Sequence, residues 1–139
     1  MARLTLLLVL AGLLAAVSAK KFTTACQIAR ELKKHDFAGK DLANWVCLVQ
    51  SESSGDSSKK GGPNKNGSYD YGLFQINSKY WCKNGVKGGD CNIKCEDLLN
   101  DDLSDDSQCA HKIYKRHGFT AWYGWRNKCQ NNLPDISKC

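Results

Sequence analysis

The chain has 139 residues, of which 42% are hydrophobic, eight are cysteine and two are proline, and its formal net charge is +6. This length suits one domain with a single hydrophobic core and excludes a multidomain protein. The apolar content and the scarcity of proline exclude a disordered chain, and no apolar run reaches the ~18 residues that a membrane-spanning helix needs.

The first nineteen residues have the pattern of a secretory signal peptide. Arg3 precedes an apolar stretch over residues 4–17, and small residues lead to a cleavage site after Ala19. An uncleaved membrane anchor is disfavoured, because the apolar stretch is short and ends in small residues. We therefore expect a secreted, extracellular protein whose mature domain spans residues 20–139 and, without Arg3, has a net charge of +5.

All eight cysteines lie in the mature part, and an even number in an oxidising compartment predicts four disulfide bonds. The spacing of Cys91 and Cys95 would also suit zinc, but no second close cysteine pair or His-x-x-x-His motif accompanies them. Spacing alone leaves on the order of 100 connectivities open. Because Cys26 and Cys139 lie near the two ends, we expect disulfide bonds to hold the chain in one unit.

Helices are predicted at three places in the mature chain. Thr24 is a suitable N-cap for the first helix, and Asp41 begins the second. The third has Ser104 as its N-cap, acidic residues in its first turn, basic residues in its last turn and Gly118 after its end. The stripe of the second helix consists of Leu42, Trp45, Val49 and Glu52.

A small antiparallel sheet is predicted between the second and third helices. Residues 53–66 are rich in Gly, Ser and Lys and are predicted to form a loop. Asn66-Gly67 is a strong tight-turn signal, and the alternation over residues 68–76 predicts a strand that leaves a hairpin. Helices with one small sheet indicate the α+β class.

Glu52 is the first candidate catalytic residue, because it ends an apolar helical stripe beside the glycine-rich loop. A carboxyl group held against apolar side chains keeps its proton at a pH where an ordinary Glu has lost it, as a general acid must. The alternative is a surface charge in the last helical turn, which periodicity alone favours.

Asp70 is the second candidate, since strand interiors are depleted in Asp. A carboxylate that stays ionised opposite a protonated partner can attack or stabilise a cationic centre. The alternative is a turn-associated Asp that bonds only to nearby backbone, and the residues alone favour neither interpretation.

Four segments carry more specific motifs. They are Asn44-Trp45-Val46-Cys47 with Glu52 five residues on, GSYDYGLFQINSKYWC over residues 67–82, Cys91-x3-Cys95-x2-Leu98-x3-Asp102-Leu103-x5-Cys109, and AWYGWRNKC over residues 121–129. Together they resemble the c-type (chicken-type) lysozymes of glycoside hydrolase family 22, the insect members most closely, over residues 20–139. The resemblance implies a lysozyme-like α+β fold, with a mainly helical lobe, a small antiparallel β-sheet lobe, an active-site cleft between them and four disulfides.

The resemblance also implies roles for individual residues. Glu52 matches the general acid, with Trp122 as its apolar contact, and Asp70 matches the second carboxylate. Tyr80 stands where many relatives have Trp, so the outer sugar subsites are expected to bind differently. The implied substrate-binding residues are Asn64, Gln75, Asn77, Tyr80, Trp81, Ala121 and Trp122. The implied disulfides are Cys26–Cys139, Cys47–Cys129, Cys82–Cys95 and Cys91–Cys109, while Trp45 and Trp125 are expected to pack in the core.

No cofactor is expected to be required, but a structural calcium ion stays open, because residues 95–109 resemble the calcium loop of α-lactalbumins and calcium-binding lysozymes. Against calcium, Asn100 stands where those proteins have Asp, and the helix dipole already explains Asp105 and Asp106. The ligands would be the side chains of Asn100, Asp105 and Asp106 and the carbonyls of Asp97 and Asp102.

The three histidines show no spacing typical of a metal site or a catalytic triad; they are His35, His111 and His117. The sequence Asn66-Gly67-Ser68 fits the motif of an N-glycan acceptor.

The function implied is a secreted, retaining glycoside hydrolase that cleaves β-1,4 bonds between N-acetylmuramic acid and N-acetylglucosamine in bacterial peptidoglycan, in antibacterial defence. Chitin oligosaccharides are expected as weaker substrates.

Outside residues 96–106 the mature chain carries a charge of +11, which favours anionic cell surfaces as partners, and we expect a monomer. Nucleic acid is disfavoured, because no basic run or recognition motif is present. The alternatives are a non-catalytic, α-lactalbumin-like protein, although both carboxylates are present, and a cationic membrane-active antimicrobial.

Overall fold

The computed structural model describes residues 20–139, so the predicted signal peptide lies outside the described residues. The α-helices are α1 (Ala25–Lys33), α2 (Leu42–Ser53), α3 (Ser104–His117) and α4 (Tyr123–Lys128), and the strands are β1 (Lys60–Gly61), β2 (Asp70–Tyr71) and β3 (Ile76–Asn77). Two 3₁₀ helices span Cys95–Leu98 and Phe119–Ala121. Within residues 20–139, none of the helices combines the length and the apolar composition that a membrane crossing needs.

The first two helices begin where their sequence signals place them. The Thr24 hydroxyl accepts the Gln27 backbone N–H, and the Gln27 side chain accepts the Thr24 N–H, which satisfies two unpaired donors at the start of α1. Asp41 precedes α2 without a side-chain cap. α2 ends at Ser53, followed by Ser54 in the left-handed conformation (φ 54°). Its stripe from Leu42 onward faces the core as predicted.

The sheet is antiparallel in the order β1-β2-β3, with Gly61 opposite Asp70 and Asp70 opposite Asn77. The Asn66-Gly67 turn lies in the β1–β2 connection, as predicted. The extent of the predicted loop and strand was wrong: residues 53–66 include the end of α2 and all of β1, and the strand expected over residues 68–76 is two strands.

The break between β2 and β3 lies at Gly72, which has φ 78°. A Cβ at this position would overlap the carbonyl oxygen of Leu98, so the chain passes against the 3₁₀ helix Cys95–Leu98 as it turns. Gln75 also has positive φ, at 47°, before β3 begins. Tertiary contact therefore interrupts a pattern that is locally strand-like.

The start of α3 also differs from the prediction. Ser104 is the first helical residue rather than the N-cap, and the carboxylate of Asp102 accepts its backbone N–H. Asp106 is fully buried instead of lying on a solvated first turn. Cys109 and Ile113 face inward, as their spacing predicts.

Four disulfide bonds link the pairs that the resemblance implies: Cys26–Cys139, Cys47–Cys129, Cys82–Cys95 and Cys91–Cys109. The first closes a sequence separation of 113 residues and the second one of 82, and crosslinks over long separations restrict the unfolded chain most. The two shorter bonds hold the segment between the sheet and α3. The protein can therefore keep a defined cleft on a small core.

The core is organised around Trp45 of α2. Its ring packs edge-on against Phe119 (4.9 Å between centroids) and Trp122 (5.5 Å). Trp125 is partly buried, stacks on Phe119 and donates its indole N–H to the Asn44 side chain. Trp45 thus packs in the core as expected, while Trp125 packs at its margin.

Candidate active site

A cleft with a volume of about 390 Å³ brings the predicted site residues together. Glu52 reaches it from α2, Asp70 from β2, and Ala121 and Trp122 from the segment before α4. All seven substrate-binding residues implied by the resemblance line it: Asn64, Gln75, Asn77, Tyr80, Trp81, Ala121 and Trp122. The sheet and the helices therefore supply the two walls of one site.

Glu52 lies in the last turn of α2 and is partly buried, which does not fit the alternative of a solvated surface charge. Burial raises the pKa of its carboxyl, and the negative charge of Asp70 raises it further. The backbone N–H of Gly124 and the cations of Lys59 and Lys128 act in the opposite direction and lower the pKa. The net effect favours the protonated form, the state in which a carboxyl group can donate a proton.

Asp70 is held by side chains rather than by turn backbone. Its Oδ1 accepts a hydrogen bond from the Asn77 amide (2.8 Å), and its Oδ2 accepts one from the Asn64 amide (3.1 Å). Both amides also donate to the hydroxyl of Ser68, at 2.9 and 3.0 Å. This arrangement fixes the carboxylate toward the cleft and disagrees with the turn-associated alternative.

Trp122 joins the cleft to the core. Its indole N–H donates to the carbonyl of Phe74 (2.9 Å), and its ring packs on Trp45. A buried tryptophan whose polar atom is satisfied is a rigid wall. Trp122 therefore gives the site a fixed apolar wall.

Two further residues shape the site and were not predicted from the sequence. Ser68 is buried and orients both amides that hold Asp70. Gly124 faces Glu52, and a Cβ there would lie 3.1 Å from Oε1. A glycine inside a six-residue helix lowers the stability of the helix. Its presence in the sequence was therefore the one indication that another group approaches the backbone closely here.

The model of the C-type lysozyme/alpha-lactalbumin family matches residues 20–139. The chain belongs to this family. A lysozyme of Bombyx mori is 58% identical over 123 residues, which cover 88% of this chain and 89% of the relative. A lysozyme of Galleria mellonella is 59% identical over 121 residues, which cover 86% of this chain and 100% of the relative. Among solved structures, a calcium-binding lysozyme from equine milk matches with a TM-score of 0.74 at 38% identity, covering 86% of this chain and 95% of that chain.

The family match and the observed architecture confirm the lysozyme-like α+β fold. Within this C-type lysozyme cleft, Tyr80 is 57% exposed, whereas Trp81 is nearly buried. The Arg116 guanidinium lies 5.5 Å from the Trp81 ring centroid and bonds to the Asp90 carboxylate. Trp81 is therefore fixed, whereas the Tyr80 ring is exposed, with the Lys79 ammonium 5.2 Å from its centroid.

Several of the residues expected to hold calcium make other contacts in this family member. The Asn100 side chain accepts the Asp102 N–H, and the Asp102 side chain accepts the Ser104 N–H. Asp106 is fully buried, and its Oδ2 would lie 2.6 Å from a Cβ at Gly72. Among residues 20–139, no group of three or more His, Cys, Asp or Glu side chains is placed to hold a metal ion. A structural calcium ion at residues 95–109 therefore stays a prediction.

The histidines of this C-type lysozyme family member take part in packing. His111 stacks on Phe37 with 4.0 Å between ring centroids, and its Nε2 pairs with the carbonyl of His35. His117 packs edge-on against Trp81. In the described part of the chain, no histidine lines the cleft.

Proposed function

We propose that the chain is a secreted lysozyme that hydrolyses the β-1,4 bonds between N-acetylmuramic acid and N-acetylglucosamine in bacterial peptidoglycan. The observation that carries the proposal is the contrast between two carboxyl groups in one cleft. Burial raises the pKa of Glu52, whereas Asp70 accepts two amide hydrogen bonds. The relatives named lysozyme, at 58% and 59% identity, support the same activity.

In the proposed mechanism, protonated Glu52 donates its proton to the glycosidic oxygen as the bond breaks. Asp70 faces the developing positive charge on the anomeric carbon and forms or stabilises the glycosyl intermediate. Water then attacks, and Glu52 accepts its proton, so the configuration is retained. Lysozyme is the standard example of this two-carboxylate chemistry. Retention of the anomeric configuration is therefore assigned to this chain from its family.

Sugar recognition uses both walls of the cleft. The rings of Tyr80 and Trp81 offer flat faces for the C–H edges of the sugars. The side chains of Gln75 and Asn77 line the cleft. Their amide N–H groups are already bonded within the protein, so their carbonyl oxygens are the groups left to accept hydrogen bonds from the sugar. The mature net charge of +5 supports binding to anionic bacterial surfaces, and four disulfides suit an extracellular protein.

The test is a turbidity assay on Gram-positive cell walls with the purified mature protein. Glu52→Gln is expected to lower the lysis rate by about 100-fold or more, because it removes the proton donor while keeping the shape. Asp70→Asn is expected to give a similar loss. Lysis that survives in Glu52→Gln would contradict the assignment, and bacterial killing that persists without wall lysis would instead favour membrane disruption.

A further inference from the structure

Tyr123 is the most exposed large hydrophobic side chain among residues 20–139, at 68%, and it lines the cleft. It is the first residue of α4, directly after Trp122, whose extended backbone and buried ring leave the next side chain outside the core. Burial in the core therefore does not account for an aromatic ring here. An exposed ring on the wall of a sugar cleft has the properties of a stacking surface.

The position of Tyr123 along the cleft follows from its neighbour. Gly124 lies against the Glu52 carboxyl, since a Cβ at this position would be 3.1 Å from Oε1. Tyr123 therefore directly precedes, in sequence, the glycine that contacts Glu52. Glu52 is the group that gives its proton to the departing oxygen. That oxygen stays with the leaving sugar. The part of the glycan chain beyond the scissile bond therefore begins at the cleft wall that carries Tyr123.

Arg126 supports the ring from one side. Its guanidinium lies 5.1 Å from the centroid of Tyr123, three residues along the same helix. A cation over one face restricts the ring and leaves the opposite face available. Arg126 itself is exposed, so it can also attract carboxylates carried by the departing strand.

We propose that Tyr123, supported by Arg126, is the stacking platform for the leaving-group side of the glycan strand, and that Arg126 favours carboxylate-bearing strands over neutral ones. This proposal rests on the proposed lysozyme activity. In a retaining mechanism, a sugar bound on this platform can also replace water. Its hydroxyl oxygen then attacks the anomeric carbon, the bond to Asp70 breaks, and Glu52 accepts the hydroxyl proton.

The first experiment measures the products of a neutral chitin hexasaccharide over time. Tyr123→Ala is expected to raise KM by about three- to tenfold, the value of one aromatic stacking contact, and to shift the cleavage pattern. It should also lower the ratio of transfer products to hydrolysis products, because acceptor sugars lose their platform. Tyr123→Phe should keep all three values, since the ring is retained.

The ratio of transfer to hydrolysis separates this role from a structural one, because both products come from the same intermediate. Val86→Ala, at a side chain that is 51% exposed and does not line the cleft, is the matched control and should leave the ratio unchanged. Tyr123→Leu keeps an apolar side chain without a flat face and should behave like Tyr123→Ala. An unchanged ratio and cleavage pattern in both Tyr123→Ala and Tyr123→Leu would overturn the proposal.

The second experiment compares soluble peptidoglycan fragments with the neutral hexasaccharide. Arg126→Gln is expected to raise KM for peptidoglycan by about threefold more than for chitin, whereas Arg126→Lys should lose less of this preference. An equal effect on both substrates would overturn the charge preference. Failure of the wild-type protein to cleave either substrate would contradict the proposed function itself, which is a different outcome from an active enzyme insensitive to position 123.

Discussion

Gly124 of α4 lies so close to Glu52 of α2 that a Cβ on the glycine would be 3.1 Å from Oε1 and 3.2 Å from Cδ. The space for the carboxyl group is therefore set by the absence of a side chain on a neighbouring helix. The Gly124 backbone also lowers the pKa of Glu52, so one residue both limits the space of the carboxyl group and influences its ionisation. The α2–α4 contact is thus part of the active site.

Gly124→Ala should separate activity from stability. The added methyl group forces the Glu52 carboxyl to shift by a few tenths of an ångström, and we expect kcat to fall by about tenfold, since misplaced catalytic groups lose rate steeply. Alanine favours the helix by about 1 kcal/mol over glycine, so the melting temperature should not fall. Cell-wall lysis and thermal unfolding measure the two effects, and full activity in Gly124→Ala would show that the contact has no catalytic role.

The pH dependence of activity should depend on Lys59. Burial raises the pKa of Glu52, which extends the protonated, active form to higher pH, whereas the positive charge of Lys59 lowers that pKa. Lys59→Met is expected to move the alkaline limb of the kcat/KM profile to higher pH. Lys87→Met, at an exposed lysine outside the cleft lining, is the control and should not move the limb. A shift to lower pH in Lys59→Met would contradict the electrostatic account.

Asp106→Asn should stabilise the protein at neutral pH. Asp106 is 0% exposed and neither of its carboxyl oxygens has a hydrogen-bond partner, and burial raises its pKa well above the ordinary value. Between the unfolded and folded pKa values only the folded state holds the proton, so the free energy of unfolding falls as pH rises through this range. Removing the ionisable group should flatten this decline and so raise the free energy of unfolding at pH 7 relative to the unmodified protein.

Denaturant unfolding at several pH values checks the Asp106 prediction. Asp105→Asn, at the neighbouring and less buried position, is the matched control and should leave the pH dependence nearly unchanged. If Asp106→Asn destabilises the protein at neutral pH, the carboxylate has a partner that the described contacts do not include, and the account of an unpartnered acid is wrong.

The sequence predicts those parts of the fold that depend on neighbouring residues. The Thr24 cap and the Asn66-Gly67 turn are local, and both are confirmed. The break at Gly72 depends on the Leu98 carbonyl, 26 positions away in sequence, and the burial of Asp106 depends on the same contact region. No local pattern distinguishes such an Asp from an ordinary first-turn residue, so these features were missed.

The residues of the candidate site likewise fall into those that the sequence predicts and those that depend on tertiary contacts. Glu52, Asp70 and the sugar-binding residues that the resemblance implies line one cleft, and their individual roles stay predictions. Ser68 and Gly124 were missed because each acts on a catalytic side chain through a tertiary contact. The spacing of the acidic loop suggested calcium, but the side chains satisfy backbone donors or point inward. Spacing predicts which residues are near one another, and packing decides where their side chains point.

Ser68→Ala tests whether the support of Asp70 matters for catalysis. The Ser68 hydroxyl accepts hydrogen bonds from the amides of Asn64 and Asn77, the same two groups that donate to Asp70. Without the hydroxyl the amides lose one of their fixed acceptors, and the carboxylate becomes less well oriented. We expect kcat to fall by about three- to tenfold, the equivalent of one hydrogen bond, while KM changes little.

The matched control for this prediction is Ser58→Ala. The Ser58 hydroxyl donates to the Asp56 carboxylate in an exposed turn, so its loss removes a similar hydrogen bond away from the cleft and should leave kcat unchanged. Because Ser68 is buried, unfolding of Ser68→Ala must be measured alongside the steady-state kinetics. A Ser68→Ala protein with unchanged kcat would show that the two amides hold Asp70 without the hydroxyl. A fall in kcat that only follows a loss of folded protein would assign Ser68 to stability alone.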